Sequence, residues 1–156
     1  MRLLVRGLSL LPAAARRRGL IERAVRWTLD SEKSKADGEL VVAFVGRRRM
    51  LELNRRFLGH DHDTDVIAFR YEDFPPLGAE TAFGDVFICV EQARAQARRL
   101  GHGVLTECLT LAAHGTLHLL GYDDDTARGK ARMFRKQRLC LKALSARPKA
   151  GRPISN

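Results

Sequence analysis

The chain is 156 residues long and carries 28 lysine and arginine residues against 18 aspartate and glutamate residues, a net charge of +10. With 45% hydrophobic residues it can form one compact domain with its own core. No apolar run approaches the ~20 residues of a membrane-spanning helix. The charge favours a polyanionic partner through electrostatic steering and counterion release, although a basic solvated surface in an arginine-rich chain gives the same balance.

The amino-terminal part predicts a strand followed by a basic amphipathic helix. We predict an edge strand at residues 3–6, a helix that follows Pro12 and runs to about residue 29, and a polar loop from residue 31 to residue 38. The apolar run at 8–15 resembles a signal peptide, but three arginines follow where a cleavage site would be expected. We therefore interpret the chain as cytoplasmic.

The middle of the chain predicts three strands and two helices. Residues 40–45 are apolar and β-branched, which is typical of a buried strand. Residues 47–57 carry Met50, Leu51 and Phe57 at helical spacing. The other elements predicted here are strands at 65–71 and 83–90, an irregular loop at 75–78 and a helix at 91–100.

Two long helices complete the predicted fold. The first, at 104–120, is largely apolar and is expected to be the central buried helix; the second, at 126–146, should turn Met133, Leu139 and Leu144 inward. Four strands with helices between and after them predict an α+β fold, a single domain at 1–146 with a mixed four-stranded sheet covered by about five helices. Residues 147–156 contain two prolines and a glycine and are interpreted as a flexible tail.

The three cysteines are predicted to be buried free thiols. Cys89, Cys108 and Cys140 lie far apart in the sequence with apolar neighbours, and there is no CxxC pair. This pattern is typical of a reducing compartment and does not indicate a disulfide framework.

The segment from His114 to Asp124, HGTLHLLGYDD, is the most informative part of the sequence. Two histidines four residues apart share one face of a helix and can both reach one metal ion. Gly121 can take the left-handed conformation that ends a helix, so Asp124 can supply a third ligand after the turn. Three protein ligands leave a coordination position open for water, which indicates a catalytic site used in hydrolysis.

Two structural interpretations compete with the metal site. Histidines on an apolar helix can be satisfied by backbone carbonyl groups. The aspartates at 123–125 can serve partly as N-cap residues for the last helix, since aspartate caps helices and favours turns.

The motif and two flanking blocks resemble the YbeY family of metal-dependent endoribonucleases. That family carries H-G-x-L-H-L-x-G-Y-D-H, which residues 114–124 match at every specified position except the last. The block LNRRF at 53–57 followed by DTDVIAF at 63–69 resembles the family's L-N-x-x-Y-R and P-T-D-V-L-S-F, and GDVFI at 84–88 resembles its G-D-I-x-I strand. The resemblance extends from about residue 40 to residue 144 and implies the same α+β architecture with the metal in a cleft.

Three positions depart from the family pattern. Asp124 stands where the family usually has its third histidine ligand, and a carboxylate oxygen also binds zinc. Leu58 stands where the family has an arginine that is thought to act in catalysis, and Asp63 replaces the usual proline. Arg55, Arg56 or His60 are the candidates to contact phosphate in place of the missing arginine, although a solvated basic face is the default interpretation of these residues.

The spacing of the histidines and the glycine also matches the H-E-x-x-H-x-x-G-x-x-H motif of metzincin proteases. In those proteases the glutamate after the first histidine is the general base, and here that position is Gly115. Phosphodiester hydrolysis can depend more on charge neutralisation by the metal and by arginine. The histidine helix is therefore metzincin-like in its spacing, but the sequence argues against a protease. The carboxylates of Asp65 and Asp85 are candidates to orient a histidine or a water, and an alternative for Asp65 is a cap at the start of a strand.

The resulting prediction is a single-strand-specific, metal-dependent endoribonuclease. The resemblance implies a role in maturation of the 16S rRNA 3′ end and in ribosome quality control, with the small ribosomal subunit and its proteins as further candidate partners. We predict one zinc ion per chain held by His114, His118 and Asp124, with His114, Arg55 and Arg56 as catalytic residues. The alternative is an RNA- or ribosome-binding module with a structural metal and vestigial activity, and a metalloprotease is the third possibility.

Overall fold

A four-stranded mixed sheet lies at the centre of the structure, a computed structural model that describes residues 1–71 and 82–146. The strands are β1 (Arg2–Arg6), β2 (Glu39–Val45), β3 (Val66–Arg70) and β4 (Ala82–Cys89), and their order in the sheet is β1-β2-β4-β3. The strands β1, β2 and β4 run parallel, and β3 pairs antiparallel with β4 at one edge. The sheet is therefore mixed, as predicted.

Buried and less buried residues alternate along the strands, so one face of the sheet is fully covered. In β2, Leu40, Val42 and Phe44 are buried and their neighbours are less so. Val86 and Ile88 of β4 extend the same face, since Val42 pairs with Val86 in the parallel register. A strand with this period-two pattern buries one side against the core.

Within the described residues five α-helices pack around the sheet, and the fourth is the central one. They are α1 (Arg18–Ser31), α2 (Arg47–Leu53), α3 (Val90–Leu100), α4 (Val104–Leu119) and α5 (Ala127–Ser145). Helix α4 packs on β3 and β4 and is flanked by α1, α3 and α5. Its buried residues extend over most of its circumference, so the prediction of a central buried helix is confirmed.

Helix α2 covers part of the other face of the sheet. Met50 and Leu53 pack there against Ile67 and Cys89, forming a second, smaller apolar cluster. The chain continues from α2 into a π-helical turn at Asn54–Leu58, which ends at Gly59. The predicted helix at 47–57 is therefore regular only over its first seven residues.

The predicted α+β class and its four-stranded sheet with five helices are confirmed, with two corrections. Residues 13–17 are not α-helical: a 3₁₀ turn at Ala13–Ala15 follows Pro12, and α1 begins only at Arg18. Leu139 does not face inward, because its side chain is 50% exposed. Met133, Gln137 and Cys140 are the buried residues of α5, and Leu139 points away from the face that they form.

All three cysteines are free and buried, as predicted. None of the helices in the described part of the chain combines the length and the apolar composition needed to cross a bilayer. The predicted loop at 75–78 and the predicted tail at 147–156 lie outside the described residues.

Candidate metal centre

His114 and His118 stand together near the carboxyl end of α4. Their spacing of four places both rings on one side of the helix, and the two Nε2 atoms are 2.9 Å apart. Both side chains are partly buried, although most of the helix around them is fully buried. The helix thus presents two imidazole nitrogens to one point at the protein surface.

A glycine turn brings an aspartate to the same point. Helix α4 ends at Leu119, and Gly121 follows with φ +98°, the left-handed conformation predicted for it. The chain then reverses, and the carboxylate oxygens of Asp124 lie 3.4 Å from Nε2 of His114 and 3.7 Å from Nε2 of His118. Within residues 1–71 and 82–146, these three residues are the one group of histidine, cysteine and acidic side chains arranged to hold a metal ion.

The neighbouring polar residues have separate structural tasks. Asp123 accepts a hydrogen bond from the backbone N–H of Asp125 inside the turn. The side chain of Thr126 caps α5 by accepting from the backbone N–H of Gly129. The capping role considered for the aspartates therefore falls to Thr126, which leaves the carboxylate of Asp124 facing the histidines.

The second nitrogen of each histidine has a hydrogen-bond acceptor. Nδ1 of His114 lies 2.8 Å from Oε1 of Gln137, and Nδ1 of His118 lies 2.9 Å from the carbonyl oxygen of Tyr122. A ring that donates from Nδ1 has its lone pair on Nε2, so these two acceptors favour the tautomer in which each Nε2 can bind a metal. The backbone-carbonyl interpretation of the histidines accounts for one nitrogen of His118 but not for the convergence of the Nε2 atoms.

The donor set fits a tetrahedral divalent ion. Bonds of about 2.1 Å from nitrogen and oxygen to zinc imply separations of about 3.4 Å between ligand atoms. The two histidine–aspartate separations, 3.4 and 3.7 Å, match this value, and the 2.9 Å between the rings needs only a small opening. Two imidazoles and a carboxylate are ligands that zinc commonly takes, and three of them leave one position open.

Neither Asp65 nor Asp85 orients a histidine of this group, because Gln137 and the Tyr122 carbonyl are the Nδ1 partners; an orienting role toward a water stays a prediction. The carboxylate of Asp65 accepts from Gln96, and that of Asp85 accepts from the Tyr71 hydroxyl. Burial raises the pKa of Asp85 above its usual value, and burial together with this hydrogen bond raises the pKa of Tyr71 to about 12. Gln137 was not among the residues predicted from the sequence, because it lies 23 residues from the histidine that it contacts.

A charged cluster ties the metal-centre turn to its neighbours. The Tyr122 hydroxyl donates to Glu32 at the end of α1, and Nζ of Lys136 on α5 lies 2.7 Å from the same carboxylate. Lys136 also lies over the Tyr122 ring, 5.2 Å from its centroid. Burial alone would raise the pKa of Glu32, but the bonds from Lys136 and Tyr122 outweigh it and hold the pKa below its usual value.

The two predicted catalytic arginines lie in the π-helical turn after α2. The guanidinium of Arg55 pairs with Asp61, and that of Arg56 lies over the Phe57 ring, 5.7 Å from its centroid. Both side chains are exposed, and neither lines the cavity beside His114. The structure therefore does not bring them into contact with the histidine–aspartate group, and their catalytic role stays a prediction.

Comparison with known proteins identifies the family. A family model described as Endoribonuclease YbeY matches residues 12–145. The chain belongs to the YbeY family. A relative from Elusimicrobium minutum named Endoribonuclease YbeY is 42% identical over 123 residues, which are 78% of this chain and 85% of the relative. One of the same name from Staphylococcus carnosus is 38% identical over 125 residues, covering 78% and 82%.

A solved structure supports the fold of the YbeY family for this chain. The solution structure of TM1509 from Thermotoga maritima matches with a TM-score of 0.55 and 27% sequence identity, and the match covers 91% of this chain and 88% of that one. The matched region of the YbeY family model contains all three residues of the histidine–aspartate group. The resemblance drawn from the sequence motifs is therefore confirmed.

Proposed function

We propose that this protein is a metal-dependent endoribonuclease that cleaves single-stranded RNA. The observation that carries the proposal is the convergence of His114, His118 and Asp124 in a chain of the YbeY endoribonuclease family. A net charge of +10 supports a polyanionic substrate, because many phosphates can be neutralised on the surface.

One zinc ion per chain is the metal that we propose. His114, His118 and Asp124 would hold it, with Gln137 and the Tyr122 carbonyl keeping both Nε2 atoms turned toward it. When bound, the ion supplies Lewis-acid charge that stabilises the negative charge building on the phosphate in the transition state. Because the ligand atoms of the three side chains lie within 3.7 Å of one another, that charge would be fixed at a single point on the surface.

The position after the first histidine argues for RNA and against peptide as the substrate. Gly115 faces the sheet, and a Cβ built there would lie 2.4 Å from Cγ1 of Val86. A glutamate at this position would meet the same obstacle, so the general base of the related protease motif has no place here. Phosphodiester hydrolysis can proceed with charge stabilisation as its main catalytic term.

We propose that Arg55 or Arg56 takes the role of the family's arginine, whose position is occupied by Leu58 in this chain. Both arginines lie on an exposed turn within three residues of Leu58. Loss of one transition-state contact typically costs on the order of 10²–10³ in rate. Arg55→Ala or Arg56→Ala should therefore slow cleavage by about that factor with unchanged metal content, and Leu58→Arg should accelerate it.

The biological substrate that we propose follows from the resemblance to the YbeY family. We propose that the enzyme acts on ribosomal RNA, at the 3′ end of 16S rRNA and in ribosome quality control, and that it meets the small ribosomal subunit and its proteins. This role places it in the cytoplasm. Three buried free thiols are consistent with a reducing compartment.

Metal analysis combined with a cleavage assay tests the proposal. The zinc-loaded protein should cleave single-stranded RNA, spare the same sequence in a duplex and leave casein intact. A His114→Ala, His118→Ala double variant should lose both metal and cleavage, whereas Asp124→His should retain zinc because histidine is also a zinc ligand. Full metal retention by the double variant would refute the ligand set.

The same assay separates the alternatives. If the protein binds RNA but cleaves it no faster than the metal-free protein does, it is a binding module. This is the principal alternative because Leu58 stands where the family has an arginine. Hydrolysis of casein that depends on the metal would identify a protease. If Asp123→Ala releases the metal and Asp124→Ala does not, the third ligand is the neighbouring residue.

A further inference from the structure

A cavity of about 420 Å³ adjoins the metal centre. His114, Asp124 and Gln137 line one side of it, and α5 supplies the rest through Lys130, Met133 and Phe134 among others. The cavity is thus lined by two proposed metal ligands, His114 and Asp124, and by one face of α5, a helix that contributes no proposed metal ligand. A substrate held by the metal would extend into this space.

Phe134 is the most exposed aromatic side chain in the described part of the chain. Its side chain is 59% exposed, and within residues 1–71 and 82–146 its ring contacts no other aromatic ring. The core does not need it, since the α5 face that packs inward is formed by Met133, Gln137 and Cys140. A large apolar ring left in solvent beside a catalytic centre is a candidate contact for a ligand.

Two cations flank the ring along the helix. Lys130, Phe134 and Arg138 follow one another at intervals of four residues, so they form a row on one face of α5 about 12 Å long. The Arg138 guanidinium lies over one face of the ring, 5.8 Å from its centroid. Among the described residues neither cation is paired with an acidic side chain.

The position of this row relative to the metal centre is fixed by α5 itself. Gln137 lies one helical turn after Phe134 and holds Nδ1 of His114 at 2.8 Å. Gln137 is buried, so this contact cannot shift without moving the helix. The backbone positions of Lys130, Phe134 and Arg138 are therefore fixed relative to the histidine–aspartate group.

We propose that Phe134 stacks on a nucleobase next to the cleaved phosphate and that Lys130 and Arg138 contact the phosphates on either side. The inference rests on the proposed ribonuclease function and adds a base-binding subsite to it. Every base has a π face, so stacking on an aromatic ring binds single-stranded RNA without reading its sequence. Bases paired in a duplex are not free to stack on the ring, so the subsite also explains a preference for single strands.

A comparison of normal and abasic RNA tests the subsite. The zinc-loaded parent and Phe134→Ala would be compared for binding of a single-stranded RNA decamer and of its abasic counterpart, by stopped-flow anisotropy. One base stacked on an aromatic ring is worth about 5- to 150-fold in affinity, so Phe134→Ala should bind the normal decamer more weakly by that factor. It should bind the abasic strand as the parent does, and Phe134→Trp should restore the difference.

Leu139→Ala is the matched control. Leu139 lies on the same helix and is 50% exposed, but it does not line the cavity beside His114. The Leu139→Ala variant should bind the normal and the abasic decamer like the parent. All variants should retain one metal ion and the unfolding transition of the parent, because the side chains of Phe134 and Leu139 are exposed.

Three results would overturn the inference. If Phe134→Ala binds the normal decamer as tightly as the parent does, the base-binding subsite is refuted, but the proposed ribonuclease function stands as long as the parent cleaves. An equal loss on the abasic strand shows that the ring does not act by stacking on a base. A metal-loaded parent that neither binds nor cleaves single-stranded RNA refutes the proposed function and the subsite together.

Discussion

Replacing Gly115 by alanine should destabilise the protein, although alanine favours helices. Gly115 is buried in the middle of α4, where the helix rests on β3 and β4. The added Cβ would lie 2.4 and 3.1 Å from the two Cγ atoms of Val86 and 3.3 Å from Cγ2 of Val66. Valine is stiff at χ1, so neither methyl can turn away freely. The helix must therefore move from the sheet or the strand must yield.

The expected loss is about 2 kcal/mol. Overpacking of a dense core typically costs ~1–3 kcal/mol, and a contact as short as this one belongs at the upper end. The gain in helix propensity from glycine to alanine offsets about 1 kcal/mol. For a protein of this size a loss of about 2 kcal/mol lowers Tm by ~4–8 °C. Metal binding should also weaken, because His114 would move with the helix away from Gln137.

A double-mutant cycle with Val86→Ala isolates the cause. The single variants and Gly115→Ala/Val86→Ala would be compared by urea denaturation and by metal titration. Val86→Ala alone should cost about 2 kcal/mol through its lost methyl groups. The double variant should be more stable than the sum of the two losses by a similar amount, since the new methyl fills the vacated space.

Gly19→Ala is the control for this cycle. It lies in the first turn of α1, and a Cβ there would meet nothing within 4 Å. It should be neutral or slightly stabilising. If Gly115→Ala is as stable as the parent, or if Val86→Ala does not relieve its loss, the close approach of α4 to the sheet is not the reason for glycine at this position.

Three further predictions concern groups around the centre and in the core. Gln137→Leu should lower metal affinity about 10- to 100-fold in a chelator competition, because His114 loses the acceptor that orients it, and unchanged affinity would contradict that role. Tyr71→Phe should reduce the free energy of unfolding more at pH 7 than at pH 4. The pKa of Asp85 is already raised by burial, so stability declines as pH rises through that pKa, and loss of the donated bond steepens the decline. Equal losses at both pH values would argue against it. Burial raises the pKa of the Cys108 thiol to about 12, so iodoacetamide should label it only after denaturation, and rapid labelling of the native protein would count against this burial.

The strands and the histidine helix could be predicted because their patterns are local. The run LVVAFV at 40–45 alternates buried and half-buried positions as β2, and the apolar helix at 104–120 differs from α4 by one residue. The candidate metal ligands could be predicted for the same reason. Asp124 follows His118 by six residues, and Gly121 between them adopts the left-handed conformation that was predicted to end the helix.

The errors occurred where the outcome depends on distant parts of the chain. Gln137 lies 23 residues from His114, and no local pattern identifies a glutamine as the partner of a particular imidazole. Leu139 was assigned to the core because it is apolar, but the inward face of α5 runs through Gln137 and Cys140. The three alanines after Pro12 favour a helix, yet the chain makes only a 3₁₀ turn there before α1 begins.

The candidate metal centre is built from residues close together in the sequence, whereas the sheet is not. The two histidines, the aspartate and both Nδ1 acceptors come from one continuous helix–turn–helix between His114 and Gln137. The parallel pairing of β1 with β2, in contrast, joins residues such as Leu3 and Leu40 across the whole of α1. Local contacts close at lower entropic cost than distant ones, so the ligand geometry can form before the sheet is complete. A metal ion available to the nascent chain would then bind a segment that is already shaped and would favour the docking of α5 during folding.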